Sequence, residues 1–285
     1  MQANPRIRDR GALRARGITL RWGARTHIMA IVNITPDSFS GDGKSGADAI
    51  LHALAQAKAS ADILDFGAES TRPGNVPVDA RTELARLLPV LKPVRSQLPH
   101  AIISVDTYKP DVFRAAHAAG ADMLNCVWGL PQELLEAVTE SDAAVAIMHN
   151  KREAAYDGDP MDEVLAFLEG SAARAVRAGL MPERILLDPG IGFGKTAEHN
   201  LRVLTQLPRL VALGFPTLLG TSRKSTIGAL TGRRPSDRVY GTAATTALAV
   251  AAGVDVVRVH DVAETRDVVN VADAIVRGWR PGDWT

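Results

Sequence analysis

The chain has a single cysteine, Cys126, among 285 residues. One thiol excludes an intrachain disulfide framework and a cysteine-rich zinc site, and it fits a reducing compartment such as the cytoplasm. Charge of one sign is also missing: 33 basic residues face 32 acidic ones, so the basic excess of a general nucleic-acid binder is absent. No run of 18 apolar residues occurs, and no membrane-spanning helix is expected. The basic stretch 1–17 is not followed by the apolar segment of a signal peptide. Residues 1–26 are expected to form a loose leader with solvated arginines, with a short strand over 18–22 that plugs or flanks the domain. Aromatic residues make up only 5%, yet 46% hydrophobic and 23% charged residues is ordinary globular composition. Metalloprotease, serine-hydrolase and EF-hand patterns are missing too.

What is present is an alternation. Short apolar runs occupy 27–33, 62–66, 101–106, 122–127, 144–149, 184–188, 216–220 and 255–260. Each is nearly continuous in Ile, Val and Leu, the signature of a parallel strand covered on both faces. Between them lie alanine-rich, helix-like stretches at 46–60, 79–97, 110–119, 131–140, 161–179, 197–212, 239–252 and 262–278. Gly120, Gly179, Gly214 and Gly253 sit where such helices should stop. From Asn33 to Arg258 the mean repeat is about 32 residues, the size of a βα unit. Eight such units predict an α/β chain folded as a single-domain (β/α)8 TIM barrel over 27–280. A doubly wound open sheet competes, but no G-x-G-x-x-G follows the first strand.

In such a barrel the C-terminal strand ends share one mouth, and chemistry collects there. Polar groups fall at those ends: Asn33, Asp106, Asn125, His149, Asp188, Arg258 and His260. A strand end is often polar merely to meet water; so many at one mouth point to a site. Asp106, Asn125 and Asp188 form an acceptor-rich set that would receive donors from an amidine- or guanidine-like edge, because a buried carboxylate without donors is costly. Lys224 and Arg258 follow strands seven and eight, where barrels often hold phosphate; Arg offers a planar fork or a stacking face. His260 lies two residues on and is placed to donate to an anion. Arg223 reads as a salt-bridge residue, and Cys126 as an inert buried thiol. The turn-rich segments 41–43 and 72–75 suit lids. The glycine-rich stretch 190–195 lacks the spacing of a nucleotide-binding P-loop, and Phe193 within it is placed to line a flat pocket.

The stretches NITPDSFS (33–40), ESTRPG (69–74), SVDTYKP (104–110), MHN (148–150), LDPGIGFGKT (187–196), GTSRKSTIG (220–228) and RVHDV (258–262) together resemble the dihydropteroate synthase family. The resemblance implies a transferase of folate biosynthesis that joins 6-hydroxymethyl-7,8-dihydropterin pyrophosphate to para-aminobenzoate, with Mg2+. It implies a pterin seat of Asp106, Asn125, Met148, Asp188, Phe193, Lys224 and Arg258, and a pyrophosphate seat of Asn33, Thr71, Arg258 and His260. Asn33 is similar to the family's magnesium ligand. Phe39, Thr71, Pro73, Lys224 and Ser225 look like the aminobenzoate wall, where sulfonamides act as analogues. Asp37, Lys224, Arg258 and His260 are the expected catalytic set, Asp37 by stabilising a cation or ordering its loop. A homodimer through the last helices is implied, in the cytoplasm, with no nucleic-acid or membrane partner.

The chain departs from the family pattern at Ala68, at Cys126 and at Trp128. These leave the pterin set intact and fall toward the aminobenzoate side. A divergent, sulfonamide-insensitive member is one reading of them. One alternative is a pterin-binding methyltransferase, which needs neither the aminobenzoate wall nor the pyrophosphate cations that Lys224-Ser225 and Arg258-His260 offer; the other is a non-catalytic pterin-binding paralogue, which loss of Asn33, Asp106 or Lys224 would signal, and all three are present.

Overall fold

The protein is described by a computed structural model covering residues 9–34, 46–69 and 76–282. A two-stranded hairpin, β1 (Ala12–Ala15) and β2 (Ile18–Arg21), precedes eight parallel strands. These are β3 (His27–Asn33), β4 (Ile63–Gly67), β5 (Ile102–Asp106), β6 (Met123–Cys126), β7 (Ala144–Met148), β8 (Ile185–Asp188), β9 (Leu218–Leu219) and β10 (Val256–Val259). Their order is β8-β7-β6-β5-β4-β3-β10-β9, and an isolated parallel bridge between Leu187 and Thr217 joins the two outer strands. The expected (β/α)8 barrel is the fold.

The intervening helices are α1 (Ala47–Lys58), α2 (Ala80–Gln97), α3 (Pro110–Ala118), α4 (Gln132–Thr139), α5 (Pro160–Arg177), α6 (Ala197–Thr205), α7 (Leu207–Val211), α8 (Ser225–Thr231), α9 (Val239–Ala252) and α10 (Val262–Val276). Two elements differ from the sequence reading. The helix expected over 197–212 breaks at Gln206, because Pro208 has no N–H to give the preceding turn and is accepted only in the first turn of a new helix. The seventh strand shrinks to two residues. Pro216 lacks an amide, and the Thr217 amide and hydroxyl are both taken by Asp255, at 2.9 and 3.1 Å.

Side chains alternate across the strands, and the two faces build two separate cores. Outward residues such as Ile28, Leu64, Val105, Leu124, Ile147 and Leu187 pack under the helices. Inward residues Met29, Ile63, Ile102, Met123, Leu186 and Val256 fill the lower barrel together with Leu13, Leu20 and Trp22. The hairpin therefore plugs the N-terminal mouth, and the Trp22 indole N–H donates to Glu183 O at 2.8 Å. The strand expected over 18–22 as a plug or flank of the domain is β2, and among the described leader arginines Arg10 departs from the expected solvated state while Arg14 and Arg16 are exposed. Arg10 is buried and pairs with Asp255 at 2.6 Å; Arg16 pairs with Asp122 at 2.7 Å. The reason is the acids at the strand starts, which need counter-charges once covered.

Candidate active site

Because the lower barrel is plugged with apolar side chains, only the C-terminal mouth is left for polar inward residues. The register lines them up. Asn33 pairs with Gly67, Gly67 with Asp106, and Asp106 with Asn125; Met148 pairs with Asp188. Arg258 follows inward Val256 by two residues and so faces the same interior. Gly67 keeps the row open: a Cβ there would lie 3.8 Å from Asp106 Cβ and 3.9 Å from Asn33 Oδ1.

The charges are tightly organised. Arg258 Nε donates to Asp65 Oδ2 at 2.7 Å, and its Nη2 to Asp106 Oδ2 at 3.1 Å. Asn125 Nδ2 donates to the same Asp65 oxygen at 3.0 Å. The other carboxylate oxygens, Asp65 Oδ1 and Asp106 Oδ1, are buried without a hydrogen-bond partner among the described residues. Burial pushes the Asp106 carboxyl up to about 7, against the pull of Arg258 and with the help of Asp65. Burial also raises Asp188, opposed by Lys224 and by the Gly190 N–H, which donates to Asp188 Oδ1 at 2.7 Å. Lys224 is brought down to about 8 by burial, with Asp188 resisting. Arg258 moves the other way: Asp65 and Asp106 outweigh the cost of burying its charge. Such a set is a built receptor for a ligand that offers donors on one edge and negative charge beyond it.

Lys224 closes one side. Its ammonium donates to Ile191 O and lies 4.8 Å from the Phe193 ring centroid. His260 Nδ1 is 2.9 Å from Ser222 Oγ, and that hydroxyl also accepts the His260 amide at 3.1 Å. Arg223 pairs with Asp261, as a salt-bridge residue should. At the neighbouring strand end, Glu69 accepts from Tyr108 at 2.7 Å and from the Lys109 ammonium. Lys109 also holds buried Glu83 at 2.6 Å, so the chain entering the segment after Glu69 is anchored by an ion-pair triad.

Of the residues expected from sequence, Asn33, Asp106, Asn125, Met148, Asp188 and Arg258 come to one mouth, with Phe193, Lys224 and His260 beside them. Ser225 is exposed as the first residue of α8. Asp37, Phe39, Thr71 and Pro73 lie outside the described residues. Cys126 is fully buried, with burial pushing its thiol up to about 12. The sequence reading missed Asp65, whose signal was a carboxylate inside the apolar run 62–66, in phase with Gly67. It also missed Lys195, whose Nζ lies 2.9 Å from His149 Nδ1.

The comparisons agree with this geometry. The family model of pterin binding enzymes matches residues 29–260. The dihydropteroate synthase of Synechocystis is 42% identical over 270 residues, covering 91% of this chain and 92% of that protein. The solved dihydropteroate synthase of Xanthomonas albilineans with 4-aminobenzoic acid has a TM-score of 0.86 at 42% identity, covering 95% of this chain and 99% of that one. That of Thermus thermophilus in complex with 6HMPPP has a TM-score of 0.82 at 41% identity, covering 93% and 100%. With its barrel, its acid-lined mouth and these likenesses, the chain belongs to the pterin-binding enzyme family, among the dihydropteroate synthases.

Proposed function

We propose that the chain condenses 6-hydroxymethyl-7,8-dihydropterin pyrophosphate with para-aminobenzoate, giving 7,8-dihydropteroate and pyrophosphate. The observation that carries this is the buried, unpartnered Asp106 Oδ1 beside Asn125, in a mouth that also holds Asp188, Lys224 and Arg258. A pterin's amino-pyrimidine edge supplies the donors those acids lack. Asp106, Asn125 and Asp188 take that edge; Met148 and Phe193 flank the ring; Lys224 donates to a ring acceptor.

The reaction breaks the bond between the methylene carbon and pyrophosphate oxygen and forms a bond from that carbon to the arylamine nitrogen, which then loses a proton. Departure of pyrophosphate comes before or together with amine attack. The electron-rich dihydropterin stabilises the developing cation, so no activated protein nucleophile is required. Arg258, His260 and Thr71 receive the negative charge that builds on the leaving group. Lys224, Ser225, Thr71, Phe39 and Pro73 form the aminobenzoate wall, which sulfonamides would share, and Asp37 acts on the cation or orders its loop.

Magnesium fits the donor set. Among the described residues no cluster of three His, Cys, Asp or Glu is arranged for a metal, but Asn33 ends β3 at the mouth with a neutral oxygen donor. Mg2+ typically takes one or two protein oxygens and fills its shell with water and substrate phosphate. Asn33 would hold it, and the ion would supply charge neutralisation to the leaving group.

A homodimer is supported by apolar exposure on two neighbouring helices: Tyr240 and Leu248 on α9, Val271 and Ile275 on α10, from 62% to 84% exposed. Isolated exposed apolar residues are ordinary, but four on two helices packed against each other suit an interface. No helix among the described residues is long and apolar enough to cross a membrane, and the protein is proposed to work in the cytoplasm. The experiment is pyrophosphate release with both substrates and Mg2+, repeated with each omitted. Release that needs all three supports the reading; no release in the complete mixture refutes it.

A further inference from the structure

The glycine-rich stretch 190–194 touches the site at three points, and its own backbone supplies one turn bond, from the Phe193 N–H to Gly190 O at 3.1 Å. Gly190, Gly192 and Gly194 all have positive φ, at 69°, 81° and 55°. A Cβ on Gly190 would fall 1.9 Å from His149 O, and one on Gly194 2.2 Å from Lys151 O, so glycine is required at both positions. Such a segment is expensive to order, because glycine loses the most backbone freedom. Nevertheless its Gly190 N–H meets Asp188, its Ile191 carbonyl meets Lys224, and its Phe193 ring lies under that ammonium.

The main side-chain hold comes from Lys195. Its Nζ donates to Gly190 O at 3.0 Å and to Phe193 O at 3.1 Å, and lies 2.9 Å from His149 Nδ1. Three acceptors match the three hydrogens of an ammonium. The first two pin the start and end of the glycine segment to one point; the third ties that point to the end of β7. His149 must then be neutral with Nδ1 accepting, which leaves its proton on Nε2, 3.7 Å from Glu163. The ring is buried and wedged edge-on against Phe167, with centroids 5.2 Å apart, so it is a rigid anchor. Asn200 and Tyr156 give lesser holds: Asn200 accepts the Gly192 N–H at 2.8 Å, and the Tyr156 hydroxyl donates to Gly194 O at 3.0 Å.

We infer that Lys195 is a positioning residue that clamps the 190–194 segment into a wall of the pterin site, with neutral His149 as its fixed anchor; this rests on the function proposed above. The charged groups facing the clamp are Asp188 from β8, Glu163 from α5, Lys151 from the segment after β7, and Lys224 from the segment after β9. Burial, with Asp188 resisting and Lys224 assisting, brings the Lys195 ammonium down to about 7. Burial, with Lys195 assisting, brings His149 down to about 4. The tripod is complete between those limits and loses one donor as pH rises past the upper one.

The test compares wild type with Lys195→Met, His149→Leu and His149→Gln, by pyrophosphate release at saturating para-aminobenzoate and by calorimetric titration with the pterin pyrophosphate alone. Thermal melts identify variants that fail to fold, and the His149 pair carries the test if Lys195→Met is one. Lys195→Met should raise KM and Kd for the pterin substrate at least about tenfold at pH 6.5, with a smaller change in kcat, and should flatten the alkaline rise in KM expected of wild type near pH 7, leaving only the part due to Asp106 and Lys224. His149→Gln keeps an acceptor for Lys195 and should restore KM relative to His149→Leu. If wild type binds the pterin and Lys195→Met binds it equally with an unchanged pH profile, the clamp is refuted while the function stands. If His149→Gln is as defective as His149→Leu, the anchor role is refuted. A wild type that neither binds the pterin nor releases pyrophosphate overturns the functional reading and the clamp together.

Discussion

Arg258 on β10 reaches past β3 to Asp65 on β4, Nε to Oδ2 at 2.7 Å, so two strands that are not neighbours are joined by a buried ion pair at the site. Asp65 is fully buried and also accepts from Asn125, so a single carboxylate sets the orientation of one proposed pyrophosphate ligand and one proposed pterin ligand. Asp65→Ala should lower kcat/KM about a hundredfold, within the range typical of a lost electrostatic partner in a closed site. Asp65→Asn should cost less, since an amide oxygen still meets Arg258. Steady-state kinetics on both variants decides this; a wild-type kcat/KM for Asp65→Ala contradicts it.

Asp106 links function to stability. In the folded chain its carboxyl keeps a proton up to about pH 7, whereas in the unfolded chain it does so only to about pH 4. The folded state therefore binds more protons across that interval, and this carboxyl's contribution to stability falls as pH rises through it. His149 acts with the opposite sign: its lowered value makes the folded state bind fewer protons between about pH 4 and about pH 6.5, and its contribution to stability rises across that interval. The difference between Asp106→Asn and wild type isolates the first effect. The variant's Tm should gain on wild type steadily from pH 4 to pH 7, while its affinity for the pterin falls. A Tm difference that does not change with pH contradicts the assignment.

Trp22 is almost wholly buried at the opposite mouth. Trp22→Ala should destabilise the protein by about 3–5 kcal/mol, the usual cost of removing a large core aromatic. Because the plug is separated from the site by the inward apolar layer, both KM values should stay as in wild type at a temperature where the variant is folded. Denaturant melts and kinetics on one preparation check both halves; a KM change without lost stability contradicts the division of the barrel.

The dimer proposal is tested at α9 and α10. Tyr240→Glu combined with Leu248→Glu places two charges on the exposed apolar face and should yield monomers in light scattering, where wild type should give dimers. Wild-type monomers, or a variant dimer as stable as wild type, contradict it.

The fold was readable because eight apolar runs recur at a nearly constant spacing, and strands covered on both faces carry their own signature. Phase was the next legible level. Asp106, Asn125, Asp188 and Arg258 stood out as polar residues at the ends of apolar runs. Asp65 was hidden because it lies inside a run, where only the two-residue alternation marks it as inward. Lys195 was hidden for another reason: its partners are backbone carbonyls and the His149 ring, and neither a carbonyl's direction nor a glycine's positive φ is written in composition. The plugging strand over 18–22 was legible, but Leu13 and the buried Arg10 gain meaning only once the barrel offers an open apolar end and a covered Asp255.

The pterin seat is tested most directly by calorimetric titration of wild type, Asp106→Asn and Asp188→Asn with dihydropterin pyrophosphate in the absence of para-aminobenzoate. The account predicts tight binding by wild type and at least about hundredfold weaker binding by each variant, the scale of a lost charge-assisted hydrogen bond in a buried site. Two variants that bind as tightly as wild type would contradict it.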